Sequence, residues 1–204
     1  VEVDGESVAY LQEHYPGLPI IEGDFLQLDL AALPGSAAGS LRVIGNFPYN
    51  ISSQIFFKVL DYKDRIPEVV GMIQKEVAVR LAAAPGGKEY GILSVFLQAY
   101  YTIEYLLTVH EHVFSPPPKV KSAVIRLKRN GVEKLDCDEG LFRKVVKGTS
   151  GQRRKTIRNS VIAAFPQVGR GIPEGSVVLN PFFSDRPERL SAPQFSELVY
   201  RVAA

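Results

Sequence analysis

One short stretch limits what this chain can fold into more than any other. Leu41 to Ile44, with Gly45, is a run apolar but for Arg42 that reads as a buried strand. From Ile51 to Leu60 the residues Ile51, Ile55, Phe56, Val59 and Leu60 recur at helical spacing. Between them stands Asn46-Phe47-Pro48-Tyr49-Asn50, which leaves room only for a tight loop. A strand, a tight loop and a helix in that order put the loop at the C-terminal edge of a sheet. Ligands of open α/β sheets bind at that edge.

The loop has a chemical logic. An Asn oxygen accepts a hydrogen bond without carrying charge. Pro48 has no N–H and fixes its own φ, so a nearby carbonyl can be aimed outward. Phe47 and Tyr49 offer flat faces. The set suits a planar base with an exocyclic amino group, whose two N–H hydrogens Asn46 and a main-chain carbonyl would accept while a ring stacks on its face. Holding the amine so aims its lone pair at an electrophile, a gain from orientation. A plain turn with a helix cap at Ser52 or Ser53 fits an isolated Asn-x-Pro-Tyr as well, because short motifs match by chance.

The rest of the chain extends the α/β pattern. Val1-Glu2-Val3-Asp4 reads as a strand ending in acids, and Val8, Leu11 and Tyr15 follow on one helical face that stops near Pro16-Gly17. Pro19 to Asp24 reads as a second strand with its exit loop. Glu2, Asp24 and Asn46 then stand at three strand ends along one rim. A carboxylate there can accept from both hydroxyls of a ribose, and a second can accept from an adenine amino group, with Phe25 and Leu26 packing nearby. A site of this kind normally opens with a strand, a Gly-rich turn and a helix. No such turn precedes Glu2, so the chain reads as lacking that first strand and helix.

Further along, Val69 to Ile73 reads as a strand, Gln74 to Leu81 as a helix, and Ile92 to Tyr101 as a helix running into a strand. Thr102 to Val113 continues as strand, with His110 and His112 alternating on its surface. Phe114 to Val120, with three consecutive prolines, is an extended loop. Ser122 to Lys128 alternates Ala123, Ile125 and Leu127 against Val124, Arg126 and Lys128, and closes the sheet. Beyond the polar linker from Asn130 to Asp138, three helical stripes appear: Leu141, Val145 and Val146; Ile157, Val161, Ile162 and Phe165; Phe195, Leu198 and Val202. The second of these helices is expected to open at Gln152.

Charge separates the two parts. Residues 1–114 hold 7 Lys and Arg against 14 Asp and Glu, a net of −7, and residues 115–204 hold 17 against 8, a net of +9. A basic C-terminal part points to a polyanion. Gln152-Arg153-Arg154-Lys155-Thr156-Ile157-Arg158 concentrates four cations at a helix start, where the dipole disfavours them. Phosphate contact is the evident reason for such a cluster. The single cysteine, Cys137, excludes an internal disulfide. With His14, His110 and His112 it forms no metal-ligand cluster, so no metal is expected. No apolar run has membrane-spanning length, and none reads as a signal peptide.

With these residues in hand the chain strongly resembles the ribosomal RNA adenine N6,N6-dimethyltransferases, the kasugamycin-resistance methyltransferases. The resemblance runs from Glu2 to about Leu198. Eight ordered stretches carry it: Val1 to Asp4, Gly23-Asp24, Gly45 to Ser52, Gln74 to Val77, Tyr90 to Val95, Phe114 to Val120, Ser122 to Val124, and Gln152 to Ser160. It implies a Rossmann-like class I methyltransferase domain over 1–129, truncated at its N-terminal side, and a helical domain over 134–204. It also implies S-adenosyl-L-methionine as cofactor, with Glu2 on the ribose, Asp24 on the adenine, and Phe25 and Asn46 completing that side. Asn46, Pro48 and Tyr49 would hold the target adenine, with Phe114 stacked on it.

Lys119, Arg153, Arg154, Lys155 and Arg158 would meet RNA. The implied partner is small-subunit ribosomal RNA in the immature 30S subunit, methylated at two adjacent adenines near its 3′ end by a cytoplasmic monomer. The family more often has Leu where this chain has Phe47, and a bulkier ring there is expected to alter the fit of the second methyl. Two other readings stay open at this point. One is an adenine-N6 methyltransferase acting on DNA or large-subunit RNA. The other is an RNA-binding assembly factor without catalysis.

Overall fold

The computed structural model describes residues 1–152, 155–165 and 181–203. Four strands form one sheet: β1 (Arg42–Asn46), β2 (Glu68–Gln74), β3 (Tyr101–Val109) and β4 (Ser122–Arg129), in the spatial order β1-β2-β4-β3. β1 runs parallel to β2, while β4 is antiparallel to both β2 and β3. The C-terminal ends of β1, β2 and β3 therefore share one edge with the start of β4. β4 does not close the sheet as its sequence suggested. It is inserted between β2 and β3, where its apolar side chains Ala123, Ile125 and Leu127 are fully buried.

Among the described residues seven α-helices surround the sheet. They are α1 (Gly5–His14), α2 (Ser52–Asp61), α3 (Lys75–Ala82), α4 (Ile92–Gln98), α5 (Glu139–Ser150), α6 (Ile157–Ala164) and α7 (Ala192–Ala203). Side-chain caps start several of them, as unpaired N–H groups at helix starts require. Asp4 accepts from the Ser7 N–H, Asp138 from Leu141 and Thr156 from Asn159. The Thr156 cap starts α6 at Ile157 rather than at Gln152. Lys155 therefore lies ahead of the helix, its N–H donating to the Gln152 carbonyl at 2.8 Å.

A ladder of rings ties the layers together. Phe57 of α2 meets Phe96 of α4 at 6.1 Å, and Phe96 meets Phe142 of α5 at 6.0 Å. Val145 and Val146 of α5, Ile157 and Val161 of α6, and Phe195 and Leu198 of α7 extend the same buried cluster. Each such side chain contributes about 1.5–3 kcal/mol by leaving water.

Two expected strands are not formed. Val1–Asp4 and Pro19–Asp24 meet only in one parallel bridge, Glu2 to Glu22. Asp4 turns the chain directly into α1, and Gly23, with φ of 153°, turns the other segment away. The extended run is thereby confined to a single pair. His110 and His112 likewise leave the strand: β3 stops at Val109, and Glu111–Val113 form a 3-10 turn with the two imidazoles 5.6 Å apart.

Candidate active site

A cleft of about 390 Å³ runs along β1 from Leu41 and reaches the shared sheet edge at Asn46. Glu2, Asp24 and Phe25 form one wall, and Asn46, Phe47 and Pro48 form the other. Residues up to 46 positions apart thus meet around one space. Tyr49 and Phe114 do not line it. Tyr49 stands half-buried beside the cleft, and Phe114 is half-buried past the end of β3, on the same edge.

The first wall is held by backbone donors and by α2. One Glu2 oxygen accepts from the N–H groups of Val3 and Asp4 at 2.8 and 3.0 Å. One Asp24 oxygen accepts from Leu26 N–H at 2.8 Å. Lys58, on the polar face of α2, donates to the Leu26 carbonyl at 2.9 Å and also to the Leu28 carbonyl. Its ammonium lies 5.6 Å from the centre of the Phe25 ring. One turn on, Tyr62 donates to Asp29 at 3.0 Å. The Ala31 N–H, and then this phenol, hold the Asp29 carboxyl below its usual value. The Tyr62 hydroxyl is raised, first by that same bond. Nothing in the residues alone marked Lys58 or Tyr62, since polar residues on an amphipathic helix look alike whatever they touch.

The second wall continues β1. Asn46 pairs with Met72, and the Phe47 N–H donates to the Met72 carbonyl at 3.0 Å. The Phe47 ring turns into the core, 5% exposed and edge-on to Phe56 at 5.7 Å. A Cβ at Gly71 on β2 would meet this ring at 2.7 Å, and one at Gly45 would meet it at 3.1 Å. The absence of side chains at these glycines makes room for the ring. Most of the ring's bulk thus lies below the loop, while its remaining surface lines the cleft. The loop closes with Ile51 N–H donating to the Pro48 carbonyl at 3.2 Å. No side chain caps α2; the Ser52 hydroxyl instead donates to the Tyr49 carbonyl at 3.2 Å. The Tyr49 phenol lies 2.5 Å from the Ser122 hydroxyl.

The basic residues lie elsewhere. Lys119, just before β4, and Lys155, just before α6, are exposed. Arg158 is half-buried in the first turn of α6. Arg153 and Arg154 lie outside the described residues. Among the described residues no three His, Cys, Asp or Glu side chains are placed to hold a metal ion, and no helix is long and apolar enough to cross a membrane. Burial pushes the Cys137 thiol up, which makes it a poor nucleophile.

Known proteins share this fold. Two solved structures match its fold, a dimethyladenosine transferase from Plasmodium falciparum and the 23S ribosomal RNA methyltransferase ErmE. The first has a TM-score of 0.78 at 21% identity, covering 97% of this chain and 76% of its own. The second has a TM-score of 0.69 at 22% identity, covering 100% and 80%. The fold is thus of the Rossmann-like methyltransferase class.

Curated relatives named ribosomal RNA small subunit methyltransferase A are much nearer in sequence. The one from Phocaeicola vulgatus is 56% identical over 206 residues, all of this chain and 71% of the relative. The one from Parabacteroides distasonis is 58% identical over 200 residues, 97% of this chain and 72% of the relative. A family model described as ribosomal RNA adenine dimethylase matches residues 1–174. The chain belongs to the ribosomal RNA adenine dimethylase family.

Proposed function

We propose that this protein transfers methyl groups from S-adenosyl-L-methionine to the N6 amines of two adjacent adenosines near the 3′ end of small-subunit ribosomal RNA. The observation that carries the reading is the convergence of Glu2, Asp24 and Phe25 with Asn46 and Pro48 around one cleft. Its volume of about 390 Å³ falls within the range of small-molecule sites, about 300–1,000 Å³. Glu2 and Asp24 each have one oxygen fixed by backbone donors, so both carboxylates are oriented before a ligand arrives. That suits a ribose and an adenine amine, with Phe25 as an apolar neighbour.

The bound cofactor supplies an electrophilic methyl on a sulfonium. The chain supplies position. Asn46 and a main-chain carbonyl of its loop accept the two N–H hydrogens of the target amine. Tyr49 and Phe114 stack on the base, which must leave any helical stack to reach them. No general base and no metal ligand is required of the residues present, because the amine attacks directly once it is oriented. Lys119, Lys155 and Arg158, with Arg153 and Arg154, meet RNA phosphates, and the helical part from residue 134 onward forms the docking unit. The protein works as a monomer on immature 30S subunits in the cytoplasm.

The test is methyl transfer from labelled S-adenosyl-L-methionine to small subunits that lack the modification, followed by digestion of the RNA. Label should appear as N6,N6-dimethyladenosine at two adjacent positions. Tight binding to the subunit with no label would instead favour a non-catalytic assembly factor. Label on DNA or on large-subunit RNA alone would move the substrate.

A further inference from the structure

We propose that Ser122 is a positioning residue for the target base: its buried hydroxyl holds the Tyr49 ring in place. The inference rests on the target-base role of the loop from Asn46 to Tyr49. Ser122 is fully buried at the point where three strands end. It pairs with Gln74, the last residue of β2, and with Val109, the last residue of β3. The Lys75 N–H, donating to the Lys121 carbonyl at 2.9 Å, continues this pairing one step outward. A serine side chain has a single rotatable bond before its oxygen. Its hydroxyl is therefore nearly as fixed as the strand backbone that carries it.

Tyr49 is tied to this point at one end and to α2 at the other. The phenol meets Ser122 at 2.5 Å, across 73 positions of sequence, and the carbonyl accepts from the Ser52 hydroxyl. Its neighbours two residues away on either side, Phe47 and Ile51, both pack in the core, whereas Tyr49 does not belong to that cluster. Tyr49 is anchored through its side chain and through its main chain, yet its ring is only partly buried. A held, partly exposed ring beside the cleft is a preformed stacking platform, because every base has a face that can stack on it. Without the Ser122 hydroxyl, the phenol loses its buried partner and the ring gains freedom to turn from the base.

The experiment uses the full-length protein with small subunits and measures kcat and KM for methyl transfer and the ratio of mono- to dimethylated adenosine. Ser122→Ala should lower kcat about tenfold, the scale of one lost hydrogen bond, and let monomethylated product accumulate. Cofactor affinity should stay within about twofold of the parent. Tyr49→Phe removes the same bond from the loop side without touching the strand, and serves also if Ser122→Ala folds poorly. It should give the same loss, and the double variant should be no worse than either single one. Parent-like kcat and product ratio in Tyr49→Phe, with Tyr49→Ala inactive, would overturn the anchoring role while leaving the proposed function intact. Additive losses in the double variant would also overturn it. Absence of methylated adenosine with the parent protein would instead strike the proposed function itself.

Discussion

The two walls of the cleft are built by opposite means. The Asn46 wall is an extension of the sheet. Five residues of β1 pair with β2, Phe47 adds one more backbone bond, and its ring is sunk in the core. The Glu2 wall has one bridge pair, and past it the turn from Asp24 to Asp29 is held largely by side chains reaching across from α2. Backbone ladders fix position cooperatively, whereas a few side-chain bonds can each be removed alone. The wall assigned to the target base is therefore the rigid one, and the wall assigned to the cofactor is adjustable. Helix α2 serves both, since it starts at the end of one loop and braces the other.

Substitutions can break or sharpen this contrast. The largest effect is expected from Asn46→Ala, which removes the orienting amide and leaves the wall standing. Methyl transfer should fall by about one to three powers of ten, by analogy with loss of a single orienting donor, with cofactor binding by calorimetry preserved. Turnover equal to the parent would remove Asn46 from the chemistry.

Gly71→Ala comes next. Its Cβ would strike the Phe47 ring from the adjacent strand, and overpacking of this kind costs about 1–3 kcal/mol in chemical denaturation. Adding Phe47→Leu should recover much of that. If no stability returns, the ring is not the obstacle and the rigid wall has another cause.

On the adjustable wall, Lys58→Met keeps the aliphatic stem and loses the bonds to Leu26 and Leu28. A hydrogen bond from a charged donor contributes about 1.5–3 kcal/mol, so S-adenosyl-L-methionine affinity should fall roughly tenfold or more. Affinity for the RNA should stay put. Losses of equal size in both affinities would erase the distinction between the walls.

The smallest effect is that of Tyr62→Phe, and it carries a pH signature. The Asp29 carboxyl is depressed by the Ala31 N–H first and by the Tyr62 phenol second. A depressed carboxyl stabilises the fold above its unfolded value of about 3.9, and that contribution is lost as pH falls through the folded value. Parent and variant should differ slightly in melting temperature at pH 7 and converge on acidification. A gap that persists at low pH would mean that the phenol acts through packing rather than through the carboxylate.

Much of this site was legible in the residues alone. The run Leu41 to Ile44, the loop and the spacing of Ile51, Ile55, Phe56, Val59 and Leu60 announced a strand, a turn and a helix. The strand is not buried as its residues suggested: it lies at the sheet's edge, with Ile44 81% exposed. Alternation announced Ala123, Ile125 and Leu127 as one buried face. These are local signals, because helix and strand periods repeat every few residues. The residues that resemble the family's motif, Glu2, Asp24 and Asn46, were legible as a set, although only Asn46 ends a strand of the sheet.

What bound those pieces together was not local. The insertion of β4 between β2 and β3 rests on pairing choices between segments tens of residues apart. Glu2 and Glu22 were readable as extended, yet only the neighbouring cap at Asp4 and the turn at Gly23 limited them to one bridge. Phe47 offered a flat face, and only Gly71, on another strand, let its ring sink into the core beneath the cleft. Lys58 and Ser122 carried no periodic mark, since their partners lie 30 and 73 positions away. Most of the elements, and the chemistry at their ends, follow from near neighbours along the chain. Which side chains brace them is set in three dimensions, because it depends on the register in which distant strands come to lie.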